Sequence, residues 1–297
     1  MAHTIKGTIT INGMELTVTN PDKLLWPEAG VTKAIYLQKL AALAPYLLTY
    51  TRNRLLTTIR YPHGAGGEFF YQKNAPEPVP EFVRTEMHDG IRYVVMNDLP
   101  DLLWLGNLAA LEFHPSLHAV GSHLPCEWMI DLDPSQEEEP RIMQAALIVG
   151  ETLTSLGLRS VPKTSGATGV QIIVPIREGV TFDELRDIGY FVGKYVTQKH
   201  PDLFTLERLK KDRGDRIYFD YLQHYGGKTL AAPYTPRAKP GGTVSTPLTW
   251  DEVRNNVSVK DYHLMNIVER LKKTGDLIAA VDPQPVELII QHLKQKK

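Results

Sequence analysis

The sequence predicts an α+β fold with mixed or antiparallel sheets, and three observations predict it. Strand-like and helix-like segments alternate irregularly along the 297 residues, unlike the regular β-α repetition of a doubly wound parallel sheet. Two dipeptides that favour tight hairpins, Asn12-Gly13 and Asp89-Gly90, sit between β-rich or mixed runs. Two apolar strand patterns end in carboxylates: Trp128 to Asp133, and Arg216 to Tyr221 with Asp220 near its end.

In chain order, Thr8–Ile11 and Met14–Thr19 flank Asn12-Gly13 and form a hairpin, and Asn20–Pro27 is a turn-rich loop. Thr32 caps a helix from Lys33 to about Thr49, with a core stripe of Ile35, Leu37, Leu40, Leu43 and Leu47. Pro45 is expected to kink or break it. Arg54–Arg60 is a strand, Tyr61–Gly67 a glycine-rich loop, and Val83–Asn97 a protruding hairpin. A helix is expected from Leu102 to Leu111, ending near Glu112-Phe113-His114-Pro115. After the Asp-Leu-Asp strand comes a long helix from Gln136 to Leu156, with Glu137, Glu138 and Glu139 in its first turn. Strands at Leu158–Pro162 and Val170–Val174 bracket the loop Lys163 to Gly169. Thr181 caps a helix from Phe182 to Lys199, and Gly226–Thr246 is irregular. Helices at Trp250–Arg254, Asp261–Lys273 and Pro285–Gln295 complete the pattern. No repeat or linker marks a boundary, so the expectation is one domain over 1–297.

Composition excludes several function classes. With 42% apolar and 23% charged residues and a net charge of −1, any anion binding must come from local clusters. The single cysteine, Cys126, excludes an intrachain disulfide framework; it reads as a buried bystander, with a catalytic thiol as the alternative. No apolar run reaches about twenty residues and no signal-peptide pattern appears, so a cytoplasmic protein without membrane contact is expected.

Alternation along a strand puts Asp131 and Asp133 on one face and Leu132 on the other. Paired carboxylates at a buried strand end repel, and a hard divalent cation resolves the conflict. A solvated Asp-Leu-Asp-Pro turn is the plainer reading of the same residues. Asp220, on a second apolar strand, supplies a third carboxylate, enough for two ions in in-line phosphoryl transfer. Ser165-Gly166-Ala167-Thr168-Gly169 can bring backbone N–H groups close to phosphate, or can be an ordinary turn between strands. Lys210, Lys211, Arg213 and Arg216 before Asp220, and Lys228, Arg237 and Lys239 after it, can neutralise phosphates or simply face solvent. Phe69 and Phe70 follow a glycine-rich loop and suit base stacking, although at least one of them is expected in the core.

The order of these motifs resembles one family. Asp-Leu-Asp-Pro, Lys-Thr-Ser-Gly-x-x-Gly, an apolar strand ending in Asp220-Tyr221-Leu222-Gln223, then Pro233-Tyr234-x-Pro-Arg-Ala-x-Pro-Gly and Val244-Ser-Thr-Pro-Leu-Thr-Trp, is similar to the polymerase domain of bacterial end-joining ligase D, in the archaeo-eukaryotic primase superfamily. The likeness runs from Thr19-Asn20-Pro21 to Asp251-Glu252-Val253. It implies a primase-polymerase core with an RRM-like sheet flanked by helices. It also implies two Mn²⁺ or Mg²⁺ ions, and NTP or dNTP addition, preferentially of ribonucleotides, during non-homologous end joining. The implied partners are gapped or 3′-overhang DNA ends with a 5′-phosphate, Ku, and a DNA ligase activity.

Residue by residue, the resemblance matches Asp131, Asp133 and Asp220 to the metal triad. His114, Ser165 with Gly166, and Arg237 match the nucleotide site. Asn20, Lys23 and Lys33 match a 5′-phosphate pocket, and Phe69 and Phe70 match aromatics at the template, with Arg216 among the DNA contacts. The Val83–Asn97 hairpin matches a loop that aligns two ends. Two positions depart: Thr168 stands where the family carries lysine and Gln171 where it carries histidine, which leaves the triphosphate grip one cation poorer. No Lys-x-Asp-Gly ligase motif occurs, so a stand-alone polymerase or an excised domain is expected. Two rivals remain: a DNA-end or Ku-binding module weakened in catalysis, and an aspartyl phosphatase, whose motif also opens with Asp-x-Asp.

Overall fold

The computed structural model describes residues 5–295. The chain divides into two compact units. One comprises residues up to Ser116, Thr229–Ser245 and Tyr262–Lys273; the other comprises Leu117–Lys228, Thr246–Asp261 and the residues from Thr274 on.

In chain order the strands and helices are β1 (Lys6–Ile11), β2 (Met14–Thr19), β3 (Leu24–Trp26), β4 (Val31–Thr32), α1 (Lys33–Thr51), β5 (Arg54–Arg60), β6 (Phe70–Gln72), β7 (Thr85–His88), β8 (Ile91–Val94), α2 (Leu99–Asn107), β9 (Ala110–Ala119), β10 (Trp128–Asp133), α3 (Ile142–Ser155), β11 (Val161–Thr164), β12 (Val170–Val174), α4 (Phe182–Lys199), β13 (Phe204–Thr205), α5 (Lys210–Arg213), β14 (Ile217–Asp220), α6 (Trp250–Arg254), α7 (Ile267–Thr274) and α8 (Glu287–Gln295). The α+β expectation holds. All pairings with a described register are antiparallel except β13 with β14.

In the first unit, β1 and β2 pair through Asn12 (φ 51°) and Gly13 (φ 80°), the double positive φ of the expected type I′ turn. Helix α1 starts where Thr32 Oγ1 accepts from Ile35 N at 3.3 Å. It continues through Pro45 to Thr51, which corrects the expected break. Leu40, Leu43 and Leu47 are fully buried, and their packing outweighs a proline cost of about 3 kcal/mol. The loop expected over Asn20–Pro27 contains β3, which pairs with β4. The hairpin β7–β8 turns at Asp89-Gly90 as expected, but its base is built into the sheet, where Leu56 of β5 pairs with Val94 of β8. The expected helix over Leu102–Leu111 is displaced. Asp98 caps α2, the helix ends at Asn107, and Ala109 at φ 59° turns the chain into β9. Leu111 to Pro115 therefore lie on a strand, buried on both faces apart from half-buried His114, so they lack the alternation that marks a strand in sequence.

The second unit holds a five-stranded sheet in the order β11-β12-β10-β14-β13. Fully buried Trp128, Ile130, Leu132 and Phe219 fill the core beneath β10 and β14. Helix α4 matches its expected bounds, with a capping box between Thr181 and Glu184. Helix α3 begins at Ile142 rather than Gln136. Pro140 disfavours helical backbone at Glu139, and the Glu139 carboxylate instead grips Arg141 Nε at 2.7 Å. Strand β11 starts three residues later than expected because Leu158 N closes the end of α3 on Leu153 O at 3.0 Å, behind Gly157 at φ 78°. Helices α7 and α8 likewise start later than the expected Asp261 and Pro285. Cys126 is exposed, which corrects the buried-bystander reading. Among the described residues no helix is long and apolar enough to cross a membrane.

Candidate active site

Strand register assembles the carboxylates. Asp131 of β10 lies opposite Asp220 of β14, and Asp133, two residues on, lies opposite Tyr218. Asp131 is buried, and its carboxyl is held well above the usual carboxylate range, first by burial and then by the charges of Asp133 and Asp220. Asp133 is raised too, by burial and by Asp220, while Arg213 and Lys210 pull it down. Asp220 caps the 3₁₀ turn Tyr221–Gln223: its Oδ1 accepts from Leu222 N and from the Tyr218 hydroxyl, each at 3.0 Å. Among the described residues, no three His, Cys, Asp or Glu side chains close into a ready metal cage. The arrangement is a row of neighbouring oxygen donors, with Asp131 buried and Asp133 and Asp220 half-buried. Its chemistry fits a hard divalent cation, which would relieve both the repulsion and the burial cost.

The Ser165–Gly169 loop joins β11 and β12 beside this row. Ser165 Oγ accepts from Ala167 N at 3.1 Å and from Gly169 N at 3.0 Å, so two of the N–H groups expected to approach phosphate are used inside the loop. A Cβ on Gly169 would lie 2.5 Å from Leu132 O, so the loop rests on the backbone of β10 and only glycine fits there. Thr168 is half-buried. Lys163 is fully buried, and its Nζ donates to Gln171 Oε1 at 2.5 Å, directed along the sheet. Arg216 donates within its own turn, with Nε to Arg213 O at 2.8 Å and Nη2 to Asp212 O at 3.2 Å. Arg213 is buried over the Tyr218 ring at 4.2 Å, and its Nη1 has no hydrogen-bond partner.

The remaining predicted residues lie in the first unit. Lys33 is buried, and its Nζ donates to Asn107 O at 2.8 Å. Weaker contacts run to Asn107 Oδ1 and Thr19 Oγ1, both at 3.4 Å. Burial, and then the charge of Lys23, lower its pKa to about 8. Lys23 Nζ donates to Pro62 O. Asn20 turns the chain at φ 49°, three residues before Lys23. Two ammonium groups that repel each other at a partly closed site are poised for an anion. Phe69 and Phe70 are 54% and 43% exposed, which corrects the expectation that one is in the core. Phe69 stacks on Tyr61 at 5.2 Å and Arg60 lies over Phe70 at 5.2 Å, so neighbours hold both rings while their outer faces stay open. Tyr71, 65% exposed, extends this surface and was not singled out in the sequence, although it directly follows the pair.

Glu112 was also missed. Its carboxylate is buried, and it accepts from Arg237 Nε at 2.9 Å, His114 Nε2 at 3.0 Å and Ala238 N at 3.1 Å. These donors outweigh its burial and hold its carboxyl down at about 2. His114 and Arg237 are therefore brought together by one residue that no motif reading had marked. A glutamate two positions before a candidate histidine was the available signal.

An α+β fold with a carboxylate row on adjacent strands is compatible with the primase-polymerase class, and the match to that family's model shows it. The chain belongs to the LigD primase-polymerase family: residues 32–278 match that family's model, described as "LigD, primase-polymerase domain". It is 38% identical over 288 residues to the bifunctional non-homologous end joining protein LigD of Bacillus subtilis, covering 95% of this chain and 47% of that protein. It is 29% identical over 282 residues to the multifunctional LigD of Mycolicibacterium smegmatis, covering 91% of this chain and 37% of that protein. The chain thus spans about half, or less, of the length of these relatives. The polymerase domain of Mycobacterium tuberculosis ligase D, solved in complex with DNA, superposes with a TM-score of 0.83 at 27% identity, over 90% of this chain and 98% of that one.

Proposed function

We propose that this chain is a divalent-metal-dependent nucleotidyltransferase, acting as one catalytic domain that adds nucleotides, preferentially ribonucleotides, at DNA ends or gaps during non-homologous end joining. The observation that carries the reading is the register that sets Asp131 opposite Asp220 with Asp133 on the same face. These three carboxylates would hold Mn²⁺ or Mg²⁺. When bound, the ions would lower the charge barrier between an attacking hydroxyl and a triphosphate.

The chain's own residues supply the rest. Arg213 and Lys210 place positive charge beside Asp133, where phosphate charge would also accumulate. Ser165 and Thr168 offer hydroxyls at the loop, and Gly169 lets that loop close onto β10. Glu112 holds His114 and Arg237, which the family resemblance assigns to the nucleotide. Lys23 and Lys33 would grip a 5′-phosphate, and Phe69, Phe70 and Tyr71 would stack on template bases. The DNA-bound relative supports a DNA substrate for this chain. Ku, a partner ligase activity and a cytoplasmic, nucleoid-associated location follow from the same reading.

The test is extension of a labelled, gapped DNA with NTP and Mn²⁺, run beside a phosphate-monoester assay. Extension that disappears in Asp131→Ala is the expected result. Phosphate release without extension would identify a phosphatase. A gel shift without either would leave a DNA-end binding module.

A further inference from the structure

Three consecutive β-ladders, β11–β12, β12–β10 and β10–β14, line up four polar side chains in a single row across the sheet. Lys163 of β11 pairs with Gln171 of β12, Gln171 pairs with Asp131 of β10, and Asp131 pairs with Asp220 of β14. Directly opposed residues on neighbouring strands have Cβ atoms about 4.5–5.5 Å apart, so each member is within reach of the next. Three members are buried: Lys163 at 0% exposure, Gln171 at 3% and Asp131 at 8%. The other side chains of the same strands are mainly apolar, so the row is a polar seam through a dry sheet.

The seam has a fixed direction. A lysine ammonium can only donate, so the Gln171 atom facing Lys163 Nζ at 2.5 Å is the carbonyl oxygen. That orientation turns the amide NH₂ the other way, toward Asp131, its register partner on β10, whose carboxyl it favours in the charged form. Asp131 therefore meets a donor on one side and repelling carboxylates on the other. The Asp131 carboxylate, an acceptor only, favours the same orientation, and Lys163 reinforces it by engaging the amide oxygen at the other end.

We propose that Lys163 and Gln171 are positioning residues for the metal site, a strut that locks the Asp131 carboxylate as an oriented acceptor facing the triad. This rests on the metal-dependent reading above. In that role Lys163 is not a phosphate contact: it is buried along the sheet and acts through the amide. The departure at Gln171 is then a working substitution. An amide relays the orientation as well as an imidazole would, because either can accept from Lys163 on one side and donate to Asp131 on the other.

The experiment measures Mn²⁺ binding by the free-ion electron paramagnetic resonance signal, with no nucleotide or DNA present, alongside a thermal melt in chelator. The main variant is the double change Lys163→Met with Gln171→Leu, which removes the buried ammonium together with its amide partner and puts apolar groups of similar size in their place, the melt reporting that the variant is folded. Its Mn²⁺ dissociation constant should rise about tenfold, the effect of one charge-assisted hydrogen bond, while a cooperative melt in chelator shows that the variant is folded. Gln171→His should bind within about threefold of the wild type, because it restores the relay. Equal Mn²⁺ affinity in the wild type and the double variant overturns the strut and leaves the metal reading standing. Absence of Mn²⁺ binding in the wild type, unchanged by Asp131→Ala, overturns the metal reading and the strut with it. A side-chain amide NMR signal for Gln171 that does not move in Lys163→Met would likewise overturn the claim that the lysine reinforces the amide's direction.

Discussion

Raising the pH from 7 to 9.5 should erase much of the preference for a DNA end that carries a 5′-phosphate. Lys33 carries its proton only up to about pH 8, because burial and the neighbouring Lys23 both disfavour the charged form. A bound phosphate dianion supplies the missing counter-charge and restores the ammonium. The group's pKa is thus lower in the free protein than in the complex, and binding above pH 8 must draw a proton from solution. Full affinity is present below pH 8. Above it, the phosphate-specific part falls by up to tenfold per pH unit, or at most about thirtyfold by pH 9.5. The phosphate keeps its charge throughout, since its second ionisation lies near pH 6. The assay is fluorescence anisotropy on two gapped DNAs that differ only in a 5′-phosphate or 5′-hydroxyl, at fixed salt, with the ratio of the two dissociation constants read against pH. Lys23→Ala removes one of the two causes, so its curve should begin lower and bend at a higher pH. A ratio that is flat from pH 7 to 9.5 would refute the coupling, and a ratio of one at pH 7 would refute the pocket.

Asp131→Asn should abolish nucleotide addition yet raise the melting temperature in chelator by a few degrees, since a buried, repelled carboxylate is replaced by a neutral isostere; calorimetry showing a lower melting temperature would contradict the repulsion. Thr168→Lys should lower the KM for NTP about three- to thirtyfold with little change in kcat, because Lys163 is committed to Gln171 and the loop lacks a cation of its own; steady-state kinetics with an unchanged or higher KM would sink this. His224, which accepts from Met129 N at 2.6 Å, is buried and held neutral, and burial lowers its pKa to about 4. Its folded pKa lies below the unfolded value, so stability is complete above pH 6.5 and drops as pH falls toward 4, by about 3 kcal/mol at most. Urea melts of His224→Gln should show a shallower acid loss; identical slopes would exclude this histidine as the cause.

Local chemistry was what the sequence displayed best. The Asn12-Gly13 turn, the Thr32 and Thr181 caps and the β10 strand are set by residues a few positions apart, and each forms where expected. The errors arose where distant packing or a neighbouring proline decided the matter. Pro45 stays inside a helix whose buried leucines hold it, and Pro140 delays α3. Leu111 to Pro115 pass for the end of a helix because their burial on both faces hides the strand period. The carboxylates were visible as types, but their company was not. That Asp131 meets Asp220 and Gln171 is a matter of register between strands far apart in sequence. Glu112 was concealed for the same reason, since Arg237 reaches it across 125 positions.

The interleaved division of the chain constrains its synthesis. The core of the first unit takes in Ala232, Tyr234, Val244, Leu264, Ile267 and Leu271 together with helices made more than a hundred residues earlier. A nascent chain emerging from the ribosome at about 5–20 residues per second therefore holds α1 and β5 unfinished through the entire translation of β10 to β14. The N-terminal part cannot settle first and wait, as it can in proteins whose units follow one another. Trp26, Tyr46 and Tyr50 lack their native contacts with Arg237 and Tyr234 for that interval, and this is when a chaperone would have most to shield.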